Sequence, residues 1–230
     1  MIITWNMQGG KASTENKWNV GVLNFFSTYG DELSACCLQE CGGVPGSANQ
    51  TGVFIYGPGG PGYQLSTYEW AGTRSGRVPY LQITFCRWDT GGNRCNLAVV
   101  SRQTPQGRVL TYPPTPNAWR PAVGVNLGGE WLFTIHAISP RGPDAGDLIQ
   151  AAALAAGANP WMVAGDFNCP PGGLPLLPPG LSVCRANKAT YKVGNPVSMY
   201  DYAVASAGPG AVGTVLTEEI YSDHYPVAYR

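Results

Sequence analysis

Short apolar runs, each closed by a turn signal, predict an α/β (α+β) chain in which strands dominate and a few helices are inserted between them. Three observations lead there. Glycine (31) and proline (20) are abundant and recur in short clusters, as in 57–62 and 170–180, the punctuation of short strands joined by ordered loops. Aromatic residues are plentiful, with 7 Trp and 12 Tyr, which supplies a core and excludes disorder. Helical patterning is confined to 14–29 and 142–157. A length of 230 residues suits one large layered domain, or at most two small ones. With neither an internal repeat nor a linker-like stretch, residues 1–230 are expected to form a single domain.

Taken in order, 2–7 reads as a buried strand running into a turn at Gly9-Gly10. Residues 14–29 read as a helix, with Thr14 as its cap and 17–26 supplying the apolar face. An apolar run over 33–41 carries one carboxylate near its end, Glu40, and 42–62 is loop-rich. Residues 79–88 and 95–102 read as strands around a hairpin-type turn at 89–93. A second hairpin, 120–127 with 130–137, turns at Gly128-Gly129. The alanine-rich stretch 142–157 is the second helix, with Asp144 placed to cap it. A buried strand over 161–165 ends at Asp166, and 199–206, 212–217 and 225–229 close the series.

Charge is sparse. Only 12% of residues are charged, against about 25% in an ordinary soluble domain, and 14 basic residues balance 14 acidic ones. This excludes a global positive field; any anion must be held by a few placed cations. No stretch approaches the roughly 20 apolar residues of a membrane-spanning helix. The chain opens directly on a strand, without a signal-peptide pattern. Its seven cysteines show no zinc-type CxxC spacing. Cys86 with Cys95, and Cys169 with Cys184, flank local turns and are disulfide candidates if the chain is secreted. An odd total leaves one thiol free or paired to another chain.

Polar groups that close apolar strands carry the chemistry. Asn6, Glu40, His136 and the pair Asp166 and Asn168 each follow an apolar run, and Asp223-His224 precede one. Strand ends hold side chains rigidly at a sheet rim, where sites are built. Carboxylate and amide oxygens suit hard divalent cations. A metal, two histidines and a few arginines can activate water, neutralise a phosphoryl group and assist a leaving oxygen. Each residue alone has a plainer reading: a strand-end carboxylate is usually a cap, a lone histidine is usually structural, and Gly165-Asp166-Phe167-Asn168 alone fits an Asx turn.

Their joint order is more specific. Thr4-Trp5-Asn6, Leu38-Gln39-Glu40, Ile135-His136-Ala137, Gly165-Asp166-Phe167-Asn168 and Ser222-Asp223-His224-Tyr225-Pro226-Val227 resemble, in sequence, the motifs of the endonuclease/exonuclease/phosphatase (deoxyribonuclease I-like) family. Thr4-Trp5-Asn6-Met7-Gln8-Gly9, Thr14-Glu15-Asn16-Lys17-Trp18-Asn19, the stretch from Asn93 to Arg102, Arg120-Pro121-Ala122-Val123-Gly124-Val125 and Tyr200-Asp201-Tyr202-Ala203-Val204 are similar to its cytolethal distending toxin B branch.

The resemblance implies a four-layer αββα sandwich of two packed, mostly antiparallel sheets flanked by helices. It implies Glu40 as a ligand of Mg²⁺ (or Mn²⁺ or Ca²⁺), with Asn6 beside it and Asp223 near the metal. Asp166 would orient or deprotonate water, and Asn168 would hold a phosphate oxygen. His224 would pair with Asp201, and His136 would contact the phosphate or serve the leaving group. Arg94 and Arg120 would contact phosphate, with Arg102 a lesser candidate. In the deoxyribonuclease branch the first histidine pairs with a glutamate; Glu69 lies in a plausible stretch, but no motif fixes it. The substrate implied is DNA, with phosphoinositide dephosphorylation as the alternative and a silent binding module as a third reading. Toxin delivery subunits are the implied partners, and secretion followed by action inside a target cell the implied location.

Overall fold

A computed structural model describes residues 1–9, 14–55, 63–71, 78, 80–89, 91–112, 120–175, 177–206, 210–218 and 221–230. The glycine-rich run 57–62 and Thr90 of the 89–93 turn lie outside these, as does the Thr14 side chain.

The larger sheet contains β1 (Ile2–Asn6), β2 (Ala35–Gln39), β3 (Ala48–Ile55), β4 (Gln64–Trp70), β5 (Leu81–Cys86), β6 (Leu97–Ser101), β13 (Thr214–Val215) and β14 (Val227–Tyr229), in the order β13-β14-β1-β2-β6-β5-β4-β3. The smaller contains β7 (Gly107–Thr111), β8 (Ala122–Leu127), β9 (Glu130–His136), β10 (Trp161–Asp166), β11 (Ser182–Cys184) and β12 (Asp201–Ala205), in the order β11-β12-β10-β9-β8-β7. Pairing is antiparallel except for β1 with β2 and β9 with β10. Each parallel pair needs a crossover, and helices supply them. Between β1 and β2 run α1 (Thr14–Lys17), a π-helical turn (Trp18–Val22) and α2 (Leu23–Tyr29); between β9 and β10 runs α3 (Ala145–Ala156).

Strand alternation builds the layers. Ile3, Trp5, Cys36 and Leu38 face a core with Trp18, Val22, Phe25 and Phe26, on the α1–α2 side. Ala35, Cys37, Val99, Val123 and Ala164 face a second core between the sheets. Phe133, Ile135 and Val163 pack on Leu148, Ile149 and Ala152 of α3. Four layers result: helix, sheet, sheet, helix. Within the inter-sheet region the buried amide of Gln39 bridges the two sheets. Gln39 Nε2 donates to Thr4 Oγ1 (3.1 Å) and Cys37 O (3.0 Å) in its own sheet and to Thr134 Oγ1 (2.8 Å) in the other.

Several expectations need correction. The loop-rich stretch 42–62 contains β3, largely exposed because it is the sheet edge, with Val53 and Phe54 among its exposed residues. β4, β7 and β11 were not expected from the sequence. The first helix is broken by its π-helical turn, where Gly21 lies so close to the Trp5 ring that a Cβ would stand 2.5 Å from it. Asp144 sits at the start of α3 but does not cap it; its Oδ1 accepts from Ile138 N instead (2.7 Å). All seven cysteines are free. Cys169 lies in the α3-side core and Cys184 in the inter-sheet core, so a sheet separates them. Cys86 also faces the inter-sheet core, whereas Cys95 lies at the rim beside Glu40 and His136.

Candidate active site

Both crossover units point their carboxyl ends at one rim. β1 ends at Asn6 and β2 is followed by Glu40; β9 ends at His136 and β10 at Asp166. Register aligns the second half: Asp166 pairs with His136 on one side and with Asp201 of β12 on the other. Packing requires the chain to be small here. A Cβ on Gly165 would stand 2.2 Å from Ile135 O, so only glycine lets β10 approach β9 this closely.

The larger sheet brings Glu40 in on a left-handed backbone (φ +45°). The following residues pair with 94–96: Cys41 N donates to Asn96 O (3.1 Å) and Gly42 N to Arg94 O (3.2 Å). That pairing sets Arg94 Nε 2.7 Å from Glu40 Oε2. Asn6 turns its amide NH₂ inward, donating to Asp166 Oδ2 (2.8 Å) and more weakly to Glu40 Oε1 (3.5 Å), while its oxygen accepts from Gln8 N (2.9 Å).

The two imidazoles meet over Asp166. Its Oδ2 lies 3.6 Å from His136 Nε2 and 3.8 Å from His224 Nε2. His136 Nε2 also lies 3.7 Å from Glu40 Oε1. His224 Nδ1 is 2.7 Å from Asp201 Oδ2, a carboxylate behind a histidine that fixes its tautomer. Asp201 is itself positioned by Thr190, whose Oγ1 accepts from the backbone N–H groups of Tyr200 and Asp201. The Tyr191 ring lies 4.8 Å from the His224 ring.

The histidines are buried but oppositely biased. For His136, burial comes first and Arg120, His224 and Arg94 follow; together they hold its pKa well below the usual value and keep the ring neutral. For His224, burial works against the charged form, but the charge and hydrogen bond of Asp201, with Asp166 and Asp223, prevail and raise its pKa to about 9. Burial, then the neighbouring Asp201 charge, pushes Asp166 upward, against the pull of His224 and the hydrogen bonds from Asn168 and Asn6. A carboxylate so raised is a better proton acceptor than an exposed one.

Other candidates are placed as follows. Asn168, also left-handed (φ +50°), closes an Asx turn by donating its N–H to Asp166 Oδ1 (2.8 Å), and its amide donates to Ala137 O (2.9 Å). Arg120 donates to the carbonyls of His136 (3.1 Å) and Ala137 (2.8 Å) and lies over the Trp88 ring. Asp223 is partly exposed, its Oδ1 4.0 Å from His224 Nε2. Arg102 is not at this rim: it bonds Phe26 O and lies near Asp31, among the residues following α2. Glu69 lies on β4, opposite Asn49 and Gln82, and is not the partner of His136. His136 Nδ1 has no hydrogen-bond partner among the described residues, and the glutamate it faces, through Nε2, is Glu40.

Sequence reasoning missed Thr190, Tyr191, Lys17 and Cys95. Lys17 Nζ donates to Gln8 O (3.0 Å) and Met7 O, and feels Asp223 and Glu40. None of the four ends an apolar strand, the signal that found the rest. A cavity of about 610 Å³ opens at the opposite rim, lined by Ile2, Arg102, Trp131, Trp161 and Tyr229, and shares nothing with this cluster.

The donor chemistry fits a hard cation at Glu40. Its Oε1 is not held by Arg94, and Mg²⁺ is commonly anchored by one or two carboxylates together with substrate phosphate oxygens. Two groups of His, Cys, Asp or Glu converge among the described residues: Glu40, Cys95 and His136, and Asp166, Asp201 and His224.

Comparison with known proteins gives this geometry its context. A model of the endonuclease/exonuclease/phosphatase family matches residues 3–224. The homolog of the cytolethal distending toxin B subunit from Salmonella typhi is 35% identical over an alignment 242 residues long, covering 99% of this chain and 88% of that protein. The cytolethal distending toxin B subunit of Escherichia coli is 31% identical, covering 98% and 89%. The crystal structure of the Haemophilus ducreyi cytolethal distending toxin matches with a TM-score of 0.84 at 31% identity, covering 98% of this chain and 95% of the matched one. A 3'-5' exonuclease from Neisseria meningitidis, at 16% identity and a TM-score of 0.55 over 98% and 97% of the two chains, shares the fold alone. With the family's pattern running from β1 to His224 and toxin B subunits alike across nearly their full length, the chain belongs to the endonuclease/exonuclease/phosphatase family.

Proposed function

We propose that this chain is a Mg²⁺-dependent endonuclease that hydrolyses DNA phosphodiester bonds, the active subunit of a cytolethal distending toxin-like genotoxin. The observation that carries it is the position of Asp166, within 3.8 Å of both imidazoles, whose protonation biases are opposite. Water attacks phosphorus and gives its proton to Asp166. The P–O bond to the leaving oxygen breaks, and that oxygen takes a proton from His224 Nε2, which Asp201 keeps charged at neutral pH. His136, neutral, hydrogen-bonds the phosphoryl group, and Arg94 adds charge beside it. Asn168 fixes the Asp166 carboxylate; Arg120 acts through the backbone of His136. A cation held by Glu40, with Asp223 near, would polarise the phosphoryl oxygens. Asn6 serves here by aligning the two carboxylates.

Similarity to toxin B subunits over 98% or more of the chain favours DNA as substrate, delivery subunits as partners and secretion followed by action inside a target cell. No helix among the described residues is long and apolar enough to cross a membrane. The even charge balance favours one second reading, a phosphoinositide phosphatase, since a small anionic headgroup needs fewer cations than a DNA backbone. Plasmid nicking with Mg²⁺ and with chelator, beside phosphate release from a phosphoinositide, separates the two. Nicking that requires Mg²⁺ and vanishes in His136→Ala and Asp166→Ala is the expected result; nicking undiminished in both variants would remove the assigned site.

A further inference from the structure

Cys95 has no part in the chemistry above, yet its surroundings are those of a ligand. It is the one cysteine of the seven that is not buried. Its backbone is fixed on both sides: the N–H donates to Asp89 Oδ2 (3.0 Å) and the carbonyl accepts from the Trp88 indole (2.6 Å). Its sulfur, a Glu40 carboxylate oxygen and a His136 ring nitrogen all lie within 4.8 Å of one another. Glu40 Oε1 and His136 Nε2 are already 3.7 Å apart, and Arg94 occupies only the other carboxylate oxygen.

One sulfur, one nitrogen and one oxygen form a set that Mg²⁺ does not select. Mg²⁺ prefers oxygen donors in octahedral arrays, whereas thiolate with imidazole suits softer ions such as Zn²⁺. Bonds of about 2.0–2.3 Å in a tetrahedral zinc site put ligand atoms roughly 3.3–3.8 Å apart. The nitrogen–oxygen pair has that spacing now, and the sulfur needs a shift of about 1 Å, within reach of a side-chain rotation. Three protein ligands leave a fourth position for water or a phosphate oxygen.

We propose that Glu40, Cys95 and His136 form a binding site for a thiophilic divalent cation of the zinc type, and that its occupation switches the active site off. Binding breaks the Cys95 S–H bond, forms a sulfur–metal bond and releases the proton to solvent, with no change of oxidation state. The ion takes Glu40 and His136 away from phosphate hydrolysis; this inhibitory arm rests on the nuclease reading above. Arg94 and the missing acceptor for His136 Nδ1 set the affinity below that of structural zinc sites, whose histidines are backed by a hydrogen bond.

Cobalt(II) is the probe, added to the full chain. The wild-type protein is expected to develop a near-ultraviolet thiolate-to-cobalt charge-transfer band and tetrahedral visible bands at one equivalent, reversed by Zn²⁺. Cys95→Ser, with Cys95→Ala as its check, is expected to lose the charge-transfer band while keeping its fold by circular dichroism. His136→Ala should weaken cobalt binding at least about tenfold, equivalent to roughly 1.4 kcal/mol. In nicking assays with Mg²⁺, Zn²⁺ should inhibit the wild type and leave Cys95→Ser close to its uninhibited rate. No band in the wild type, or a band retained in either cysteine variant, would overturn the proposal. If Mg²⁺ supports no nicking at all, the nuclease reading fails, while the cobalt spectrum still decides this one.

Discussion

The surroundings of the two histidines differ more than their burial does. Both residues are about 95% covered, at 4% and 5% residual exposure, so desolvation acts on both. His136 ends β9, where burial and then the charges of Arg120, His224 and Arg94 weigh against its protonation, and it stays neutral. His224 precedes β14 with Asp201, Asp166 and Asp223 around it, and holds a proton. Burial alone does not assign a histidine its role; the sign of the charges buried with it does. The sandwich achieves this by taking each ring from a different sheet and letting Asp166 touch both.

The contrast can be broken at several points. Asp166→Asn removes the shared carboxylate and should cost the most, about 10⁴-fold in nicking rate, the upper end for acid–base groups, with the fold retained. Asp201→Asn leaves His224 in place without its charged partner, and nicking should fall about 10²-fold. In the same variant the His224 titration, followed by NMR of the ring, should move from about 9 down past the ordinary value of about 6.5. A midpoint unchanged in Asp201→Asn would mean that the pairing does not govern the ring.

Stability should report the same opposition. His224 has a folded pKa above its unfolded one, so its contribution is complete below about pH 6.5 and is lost as pH rises toward about 9. His136 has a folded pKa below its unfolded one, so its contribution is complete above about pH 6.5 and is lost as pH falls. Urea denaturation of wild type against His224→Gln, across pH 6 to about 9, should show a difference that shrinks as pH rises. The smallest effect is expected at Arg120→Met. Losing its charged hydrogen bonds to the His136 and Ala137 carbonyls should cost about 1.5–3 kcal/mol and raise the His136 midpoint while leaving it below about 6.5.

Much of this was legible in the chain, for a physical reason. Apolar strands that end in a polar residue announce both the strand and the rim, which exposed Asn6, Glu40, His136, Asp166 and His224 together. Asp201 was found by resemblance, since it opens its strand rather than closing it. The edge strand β3 was not legible, because an edge needs no continuous apolar face. Nor was the π-helical turn, which depends on Trp5 approaching Gly21 from another layer. The nearness of Cys95 to Glu40 and of Thr190 to Asp201 was not legible for a similar reason: both are tertiary contacts that leave no local pattern.

The amide of Gln39 has a mechanical consequence. Apolar layers resist separation but tolerate sliding, because the hydrophobic effect is non-directional. Asn6 and Glu40 hang from one sheet and His136 and Asp166 from the other, so a slide of an ångström would uncouple them. Gln39, directly before Glu40, pins Thr134 two residues before His136 and thereby acts as a dowel between the plates. A Gln39→Leu chain should keep its secondary structure to nearly the same temperature yet lose hydrolytic power on mild warming, as the plates begin to shear before they part.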